Sequence, residues 1–403
     1  MKHSPEMITA LAGTMRSSVS RRRLLQAAGI SSAAMAAAAC GTGGDGGTAS
    51  EGSAPEDVSD TEKVVNWSNW VEYLDIDEDT GAYPTLDRFQ EESGISVTYT
   101  EDVNDNNEFY AKVRTQLEQG QDIDRDIVVL TDWMAGLWIQ NGFAQKLDKA
   151  AIPNSANLIP RLQNVSFDKP RDYTLPWQGG FAGLGYNIAA YQDATGNSEM
   201  TSLDQLFDPA LKGRITLLSE MRDTMGCIIA WQGNDPSNFT QEQFEQAIDA
   251  LTQQVASGQI RQVTGNDYLA ALESGDVIGV IGWSGDIFAL GEDFAFALPE
   301  SGGTLWTDNL IIPVGATHKK NAETLINYYY DPVNAAELAL WVNYITPVVG
   351  AQEAAAEMDP ELAEDQLIFP NADTLAKSKA FRSLTGQEEQ RFASAWQNLL
   401  LGA

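Results

Sequence analysis

Cysteine and histidine are scarce in this chain. Its 403 residues include two cysteines, Cys40 and Cys227, and two histidines, of which only His318 lies beyond the N-terminal region. Zinc and most transition-metal sites need several of these side chains, so we expect no metal and no cofactor. The sequence also lacks the G-x-S-x-G, H-E-x-x-H and P-loop motifs, so we expect a protein that is not an enzyme.

Positive charge is the second shortage. Asp and Glu number 57 against 25 Lys and Arg, which gives a formal net charge of −32. A surface of this sign repels the phosphates of nucleic acids and anionic lipid head groups, so we expect no nucleic-acid partner. A cationic ligand is compatible with this charge.

No apolar run is long enough to span a membrane. Residues 24–39 are mostly small or apolar and follow three arginines, but a membrane helix needs about 20 such residues. The pattern predicts an export signal over residues 1–39, with Met15 as an alternative start. The run S-R-R-R-L-L-Q resembles a twin-arginine signal, although Leu24 replaces the usual Phe and leaves Sec-type export open. The ending A-A-C-G resembles a lipoprotein signal and predicts a lipid on Cys40.

The residues after Cys40 are Gly, Ser, Thr and acids. Residues 40–61 therefore predict a flexible linker that holds a folded body near the outer face of the cytoplasmic membrane or in the periplasm. Free periplasmic and lipid-anchored forms both remain open at this point.

The body is predicted to be an α/β protein of two lobes. Strand patterns at 63–68, 95–101 and 126–132 alternate with helical patterns at 85–95 and 109–120. The same alternation of strands and helices returns from residue 214 onward. No second linker divides the body, so the chain is expected to cross between lobes more than once. We predict one lobe from residues 62–172 plus 308–345, and the other from residues 173–307 plus 346–403.

Acidic side chains, most of them beside aromatic ones, recur where predicted strands end. Loops at the carboxyl ends of strands line the ligand crevice of α/β sheets. The candidates are Trp70, Glu72 and Tyr73; Thr131 and Trp133; Glu220 and Asp223; Trp283 and Asp286; and Trp306 and Asp308.

Aromatic faces attract cations, and carboxylates accept hydrogen bonds from ammonium groups. The combination favours a flexible cation that carries several charges on an apolar backbone. Any single Trp or loop acid is more often structural or solvated, but five such coincidences favour a ligand cleft. Paired carboxylates across a cleft leave an extracellular glycan hydrolase open as an alternative.

These motifs resemble those of solute-binding proteins of bacterial ABC importers, within the spermidine/putrescine-binding branch. The resemblance covers about residues 62–400 and includes N-W-x-E-Y at 69–73, V-V-L-T-D-W at 128–133, E-M-R-D at 220–223, W-S-G-D at 283–286 and W-T-D-N-L at 306–310. It implies a two-lobed, periplasmic-binding-protein-like fold of type II, with a ligand cleft between hinged lobes.

The resemblance also implies roles for individual residues. Trp70, Tyr73, Trp133, Trp283 and Trp306 would surround the methylene and ammonium groups of a polyamine. Glu72, Glu220, Asp223, Asp286 and Asp308 would neutralise its amines, and Thr131 would offer a hydroxyl. The implied partner is an ABC permease, and the chain is expected to be a monomer. A protein of the same fold that binds another cation or a sugar remains an alternative.

Overall fold

The computed structural model describes residues 55–77 and 79–402, which belong to one compact unit. The predicted export signal, the lipid site at Cys40 and the first part of the predicted linker lie outside the described residues. Among the residues described, no helix is both long and apolar enough to cross a membrane.

Ten strands form one mixed sheet in the described part of the chain. They are β1 Val64–Trp70, β2 Ser96–Val103, β3 Ile127–Thr131, β4 Thr174–Asn187, β5 Ile215–Leu218, β6 Ile260–Thr264, β7 Gly279–Trp283, β8 Phe294–Ala297, β9 Gly303–Ile311 and β10 Ser378–Lys379.

Fourteen α-helices surround this sheet within the same residues. They are α1 Pro84–Ser93, α2 Asn106–Glu118, α3 Asp132–Gln140, α4 Ile188–Thr195, α5 Leu203–Leu206, α6 Met221–Trp231, α7 Gln241–Ala256, α8 Tyr268–Glu273, α9 Ser284–Ala289, α10 Lys319–Tyr329, α11 Pro332–Val342, α12 Ala351–Met358, α13 Ala372–Ala376 and α14 Gly386–Leu400.

Local signals place several of these elements where the sequence predicts them. Helix α1 ends at Gly94, which takes a left-handed φ of 70° that a residue without a side chain adopts at little cost. Thr240 and Gln243 form a capping box at the start of α7, a signal that the sequence itself carries. The break between α10 and α11 falls at Asp331, which caps α11 ahead of Pro332.

The strand order is β2-β1-β3-β9-β4-β7-β5-β6. β1 pairs in parallel with β2 and β3, and β5 pairs in parallel with β6 and β7. The antiparallel strands β4 and β9 join these two parallel groups.

The sheet is strongly curled. β2 and β6 stand at opposite ends of the strand order, yet the loops that follow them meet. A Cβ placed on Gly265, just after β6, would lie 2.6 Å from the backbone oxygen of Asn104, just after β2. The curl therefore turns the carboxyl ends of strands from both parallel groups toward one another.

The last part of the predicted linker is docked on the body. The Val58 N–H donates to the oxygen of Thr317 at 2.9 Å, and the buried Ser59 Oγ accepts from the Asn321 N–H at 3.3 Å. Residues 57–61 therefore differ from the prediction of a flexible tether. The composition contains almost no apolar side chain to bury, and here polar contacts to the start of α10 hold the segment instead. The proposed lobe boundaries remain predictions.

Candidate functional site

A cavity lies where the carboxyl ends of β1, β3, β5 and β7 approach β9. Nine of the eleven residues predicted to bind ligand line it. The complete lining is Trp70, Val71, Tyr73, Asn106, Thr131, Glu220, Asp223, Asn266, Trp283, Asp286, Trp306, Asp308 and Tyr344.

Glu72 does not line the cavity. It has a left-handed φ of 54° in the turn after β1, its side chain is exposed, and its N–H donates to Glu101 Oε1 at 3.1 Å. The sequence motif places Glu72 between Trp70 and Tyr73, but the turn leaves its carboxylate in solvent while both aromatic rings are buried.

Trp133 is also absent from the lining. Its indole Nε1–H donates to Glu220 Oε2 at 3.3 Å, and its ring centre lies 3.9 Å from the guanidinium carbon of Arg222. Trp133 is the second residue of α3, so its ring packs beside the cavity and supports Glu220 there.

Within the part of the chain that the structure describes, Asp308 is the lining carboxylate with one oxygen atom still free to accept a hydrogen bond from a ligand. It is buried on β9, and its Oδ2 accepts from the Tyr73 hydroxyl at 3.0 Å. Its Oδ1 is also buried and has no hydrogen-bond partner among the described residues. Burial raises the pKa of Asp308 to about 7, although the nearby hydroxyls of Thr131 and Tyr73 lower it.

Asp286 is held by three donors. The Tyr344 hydroxyl donates to Oδ1, while the Tyr268 hydroxyl and Asn266 Nδ2 donate to Oδ2 at 2.9 and 3.0 Å. Burial raises the pKa of Asp286 to about 6, against the lowering effect of these donors, and the charge of Glu72 adds to the rise.

Glu220 and Asp223 lie at the start of α6. Glu220 caps the helix by accepting from the Arg222 N–H at 3.2 Å. Asp223 Oδ2 accepts from the Trp283 indole at 2.8 Å, and Oδ1 accepts from Thr304 at 3.3 Å. Burial raises the pKa of both carboxyls, and their proximity makes it costly to ionise them together.

Four lining residues are not among the sequence candidates: Val71, Asn106, Asn266 and Tyr344. Asn106 Nδ2 donates to Thr131 Oγ1 at 2.9 Å and to Glu220 Oε2 at 3.1 Å, which fixes two residues that the sequence does predict. Both asparagines stand beside an acid and an aromatic residue shortly after a strand, in N-N-E-F-Y at 106–110 and N-D-Y at 266–268, and this pattern could have found them. Tyr344 has no acid beside it in the sequence, so the acid-and-aromatic pattern does not find it.

The walls of the cavity are aromatic. Ring centres are 6.1 Å apart for Trp70 and Trp283, 5.4 Å for Tyr73 and Tyr344, and 5.1 Å for Trp306 and Tyr344, all with steep interplanar angles. Such edge-to-face contacts fix the orientation of the rings before a ligand arrives.

Gly180 of β4 makes room for these rings. A Cβ there would lie 2.6 Å from Trp306 Cζ2 and 2.8 Å from Tyr344 Cδ1. We expect Gly180→Ala to displace both rings and to weaken ligand binding by about tenfold or more, because overpacking costs about 1–3 kcal/mol. Isothermal titration calorimetry would measure this loss.

Gly386→Ala is the matched control for Gly180→Ala. A Cβ on Gly386 would meet no atom within 4 Å, and the residue is exposed and does not line the cavity. Equal affinities for the wild type and Gly180→Ala would contradict the expected role of the ring positions.

The lining combines four buried carboxylates with no lysine, arginine or histidine. Buried charges of one sign are costly without a partner, so the cavity is suited to a cation. Within residues 55–77 and 79–402, no group of acids, His or Cys converges closely enough to hold a metal ion. The arrangement therefore fits an extended organic cation with separated charges.

Comparison with known proteins agrees with this geometry. Residues 85–369 match the family model "bacterial extracellular solute-binding protein". The spermidine/putrescine-binding periplasmic protein of Escherichia coli is 27% identical over 348 residues, which are 85% of this chain and 93% of that protein. The putrescine-binding periplasmic protein PotF of E. coli is 25% identical over 359 residues, covering 85% of this chain and 92% of that protein.

A solved structure extends the likeness to three dimensions. The putative spermidine/putrescine ABC transporter of Listeria monocytogenes superimposes with a TM-score of 0.71 at 25% identity, covering 84% of this chain and 99% of that chain. The predicted two-lobed periplasmic-binding fold is thereby confirmed. The family match spans most of the body and all the strands from β2 to β9. This chain belongs to the family of bacterial extracellular solute-binding proteins.

Proposed function

We propose that this protein binds a linear polyamine, such as putrescine or spermidine, outside the cytoplasm and delivers it to an ABC permease in the membrane. The observation that carries the proposal is the set of four buried carboxylates in an aromatic cavity whose lining has no cationic side chain. A polyamine supplies ammonium groups for the acids and methylene groups for the rings.

The relatives support the same ligand class. Two proteins that bind spermidine or putrescine align with 85% of this chain. The proposal includes binding without turnover, which distinguishes it from the glycan hydrolase that paired carboxylates leave open. It also includes a monomeric protein, a lipid on Cys40, and lobes divided at the boundaries given above.

A thermal-shift panel on the soluble body, residues 55–403, would test the ligand class. We expect putrescine or spermidine to raise the melting temperature because they bind the folded state alone. Maltose, amino acids and ferric iron should leave it unchanged. A melting temperature that responds to no polyamine would contradict the proposal, whereas a response to maltose would favour a sugar-binding protein of the same fold.

A further inference from the structure

The segment 219–222, which joins β5 to the first turn of α6, bridges the cavity. Ser219 Oγ donates to Asp105 Oδ2 at 2.9 Å, and Glu220 Oε2 accepts from Asn106 and Trp133. Asp105, Asn106 and Trp133 belong to the group of β1, β2 and β3, whereas the segment follows β5. Three strands separate β3 from β5 in the sheet, so these contacts exist because the two groups are closed on one another.

Arg222 makes the second part of this bridge. Its guanidinium stacks over the ring of Trp133 at 3.9 Å, and its Nη2 lies 2.6 Å from Glu389 Oε2 on α14. The Arg222 side chain is 12% exposed and that of Glu389 is 38% exposed, so the guanidinium is largely buried while its ion pair remains partly open to water. A stacked and paired arginine of this kind is held in one orientation.

Helix α14 also holds the other end of the segment. The Trp396 indole donates to the backbone oxygen of Ser219 at 2.9 Å. The helix therefore holds the segment at both Ser219 and Arg222. Residues 386–400 lie beyond the part of the chain that matches the family model, which ends at residue 369.

We propose that α14 is a positioning element for closure, and that Arg222 is the latch through which it acts. Glu389 holds the guanidinium where it can stack on Trp133, and this stack stabilises the closed cavity relative to the open one. Arg222 does not line the cavity, so it acts on the ligand through closure. The inference rests on the proposed function, because closure is read out through ligand binding.

The positive charge of Arg222 disfavours a bound cation, whereas the latch favours ligand binding. A positive side chain 3.9 Å from Glu220 repels an ammonium group in the cavity and lowers the pKa of Glu220, whose overall pKa is raised by burial. A purely electrostatic role therefore predicts tighter polyamine binding in Arg222→Gln and unchanged binding in Arg222→Lys. The latch predicts weaker binding in both variants, since neither lysine nor glutamine reproduces the stacked, planar guanidinium.

The experiment measures spermidine and putrescine affinity by calorimetry, and dissociation by stopped-flow tryptophan fluorescence. We expect Arg222→Lys and Glu389→Gln to weaken binding by about 3- to 30-fold, with faster dissociation and little change in association. Trp133→Phe combined with Glu389→Gln should show less than the sum of the single effects, because both act through Arg222. Wild-type affinity and dissociation in Arg222→Lys would overturn the proposal.

Arg391→Lys is the matched control on the same helix. Arg391 pairs with Glu245 of α7 at 2.9 Å in a solvent-exposed contact that is separate from the segment 219–222. The polyamine affinity of Arg391→Lys should therefore equal that of the wild type. A wild-type protein that binds no polyamine would refute the proposed function by itself. Small-angle scattering without ligand would then decide the latch, with a larger radius of gyration in Arg222→Lys supporting it and an equal radius overturning it.

Discussion

At pH 8, Asp308→Asn is expected to weaken polyamine binding by about 10- to 100-fold and to raise the melting temperature of the unliganded protein. The substitution removes the charge that an ammonium would meet at Oδ1, which is buried and has no partner among the described residues. A hydrogen bond to a charged group contributes about 1.5–3 kcal/mol, which corresponds to this loss of affinity.

The opposite effect on stability follows from the direction of the pKa shift. Burial raises the pKa of Asp308 from 3.8 to about 7, so its contribution to folding is present at low pH and is lost as pH rises through 7. Ionisation of the buried carboxylate then lowers the free energy of unfolding by at most about 4 kcal/mol, and the uncharged amide in the variant Asp308→Asn avoids this loss. The melting temperature should therefore rise most at pH 8 and by less at pH 5, where only about a third of this loss has accumulated.

Asp249→Asn is the control for Asp308→Asn. Asp249 is exposed on α7, so the variant removes the same formal charge without touching the cavity. Calorimetry and thermal melts at both pH values would compare the two variants. Unchanged affinity in Asp308→Asn would remove this residue from the ligand site, and an unchanged melting temperature at pH 8 would show that its burial carries no penalty.

The second large effect is a dependence of polyamine affinity on pH. The pKa is about 7 for Asp308 and about 6 for Asp286, and burial raises the pKa of Glu220 and Asp223 as well. Polyamine amines, like lysine, keep their protons below about pH 9. A bound cation favours ionised carboxyls, so binding must release protons from the protein wherever these carboxyls are still protonated.

We expect affinity to rise by at least about tenfold per pH unit near pH 6 and to level off above pH 8. Calorimetry at one pH in two buffers of different ionisation enthalpy would count the released protons directly. In Asp308→Asn the count near pH 7 should fall, because one titrating group is gone. Equal affinity at pH 5.5 and pH 8 would contradict the proposed charge pairing.

The α/β alternation was predictable because it is encoded locally. Gly94 at the end of α1 and the capping box of α7 are short-range signals, and the structure confirms them. The strand order was not predictable in the same way. It depends on pairing such as that of Pro176 with Asn309, which are far apart in sequence and carry no local mark of one another.

The candidate site shows the same division. Acids and aromatic residues at strand ends could be found by pattern, and nine of eleven do line one cavity. Glu72 and Trp133 differ because a left-handed turn and a helix start direct their side chains elsewhere. Asn106 and Asn266 were not predicted because a neutral amide is neither a counter-charge nor a ring for a cation, and each contributes by donating to a lining carboxylate.

The unbroken sheet has a consequence for how the molecule melts. β9 pairs with β3 of one parallel group, β4 pairs with β7 of the other, and β4 and β9 pair with each other. Separating the two groups would therefore leave long strand edges without partners. Neither group is expected to survive the loss of the other, and the body should unfold cooperatively as one unit. The free energy of ligand binding then stabilises the whole body, including β2 and β6 at the two ends of the strand order. A single melting temperature reports this stabilisation.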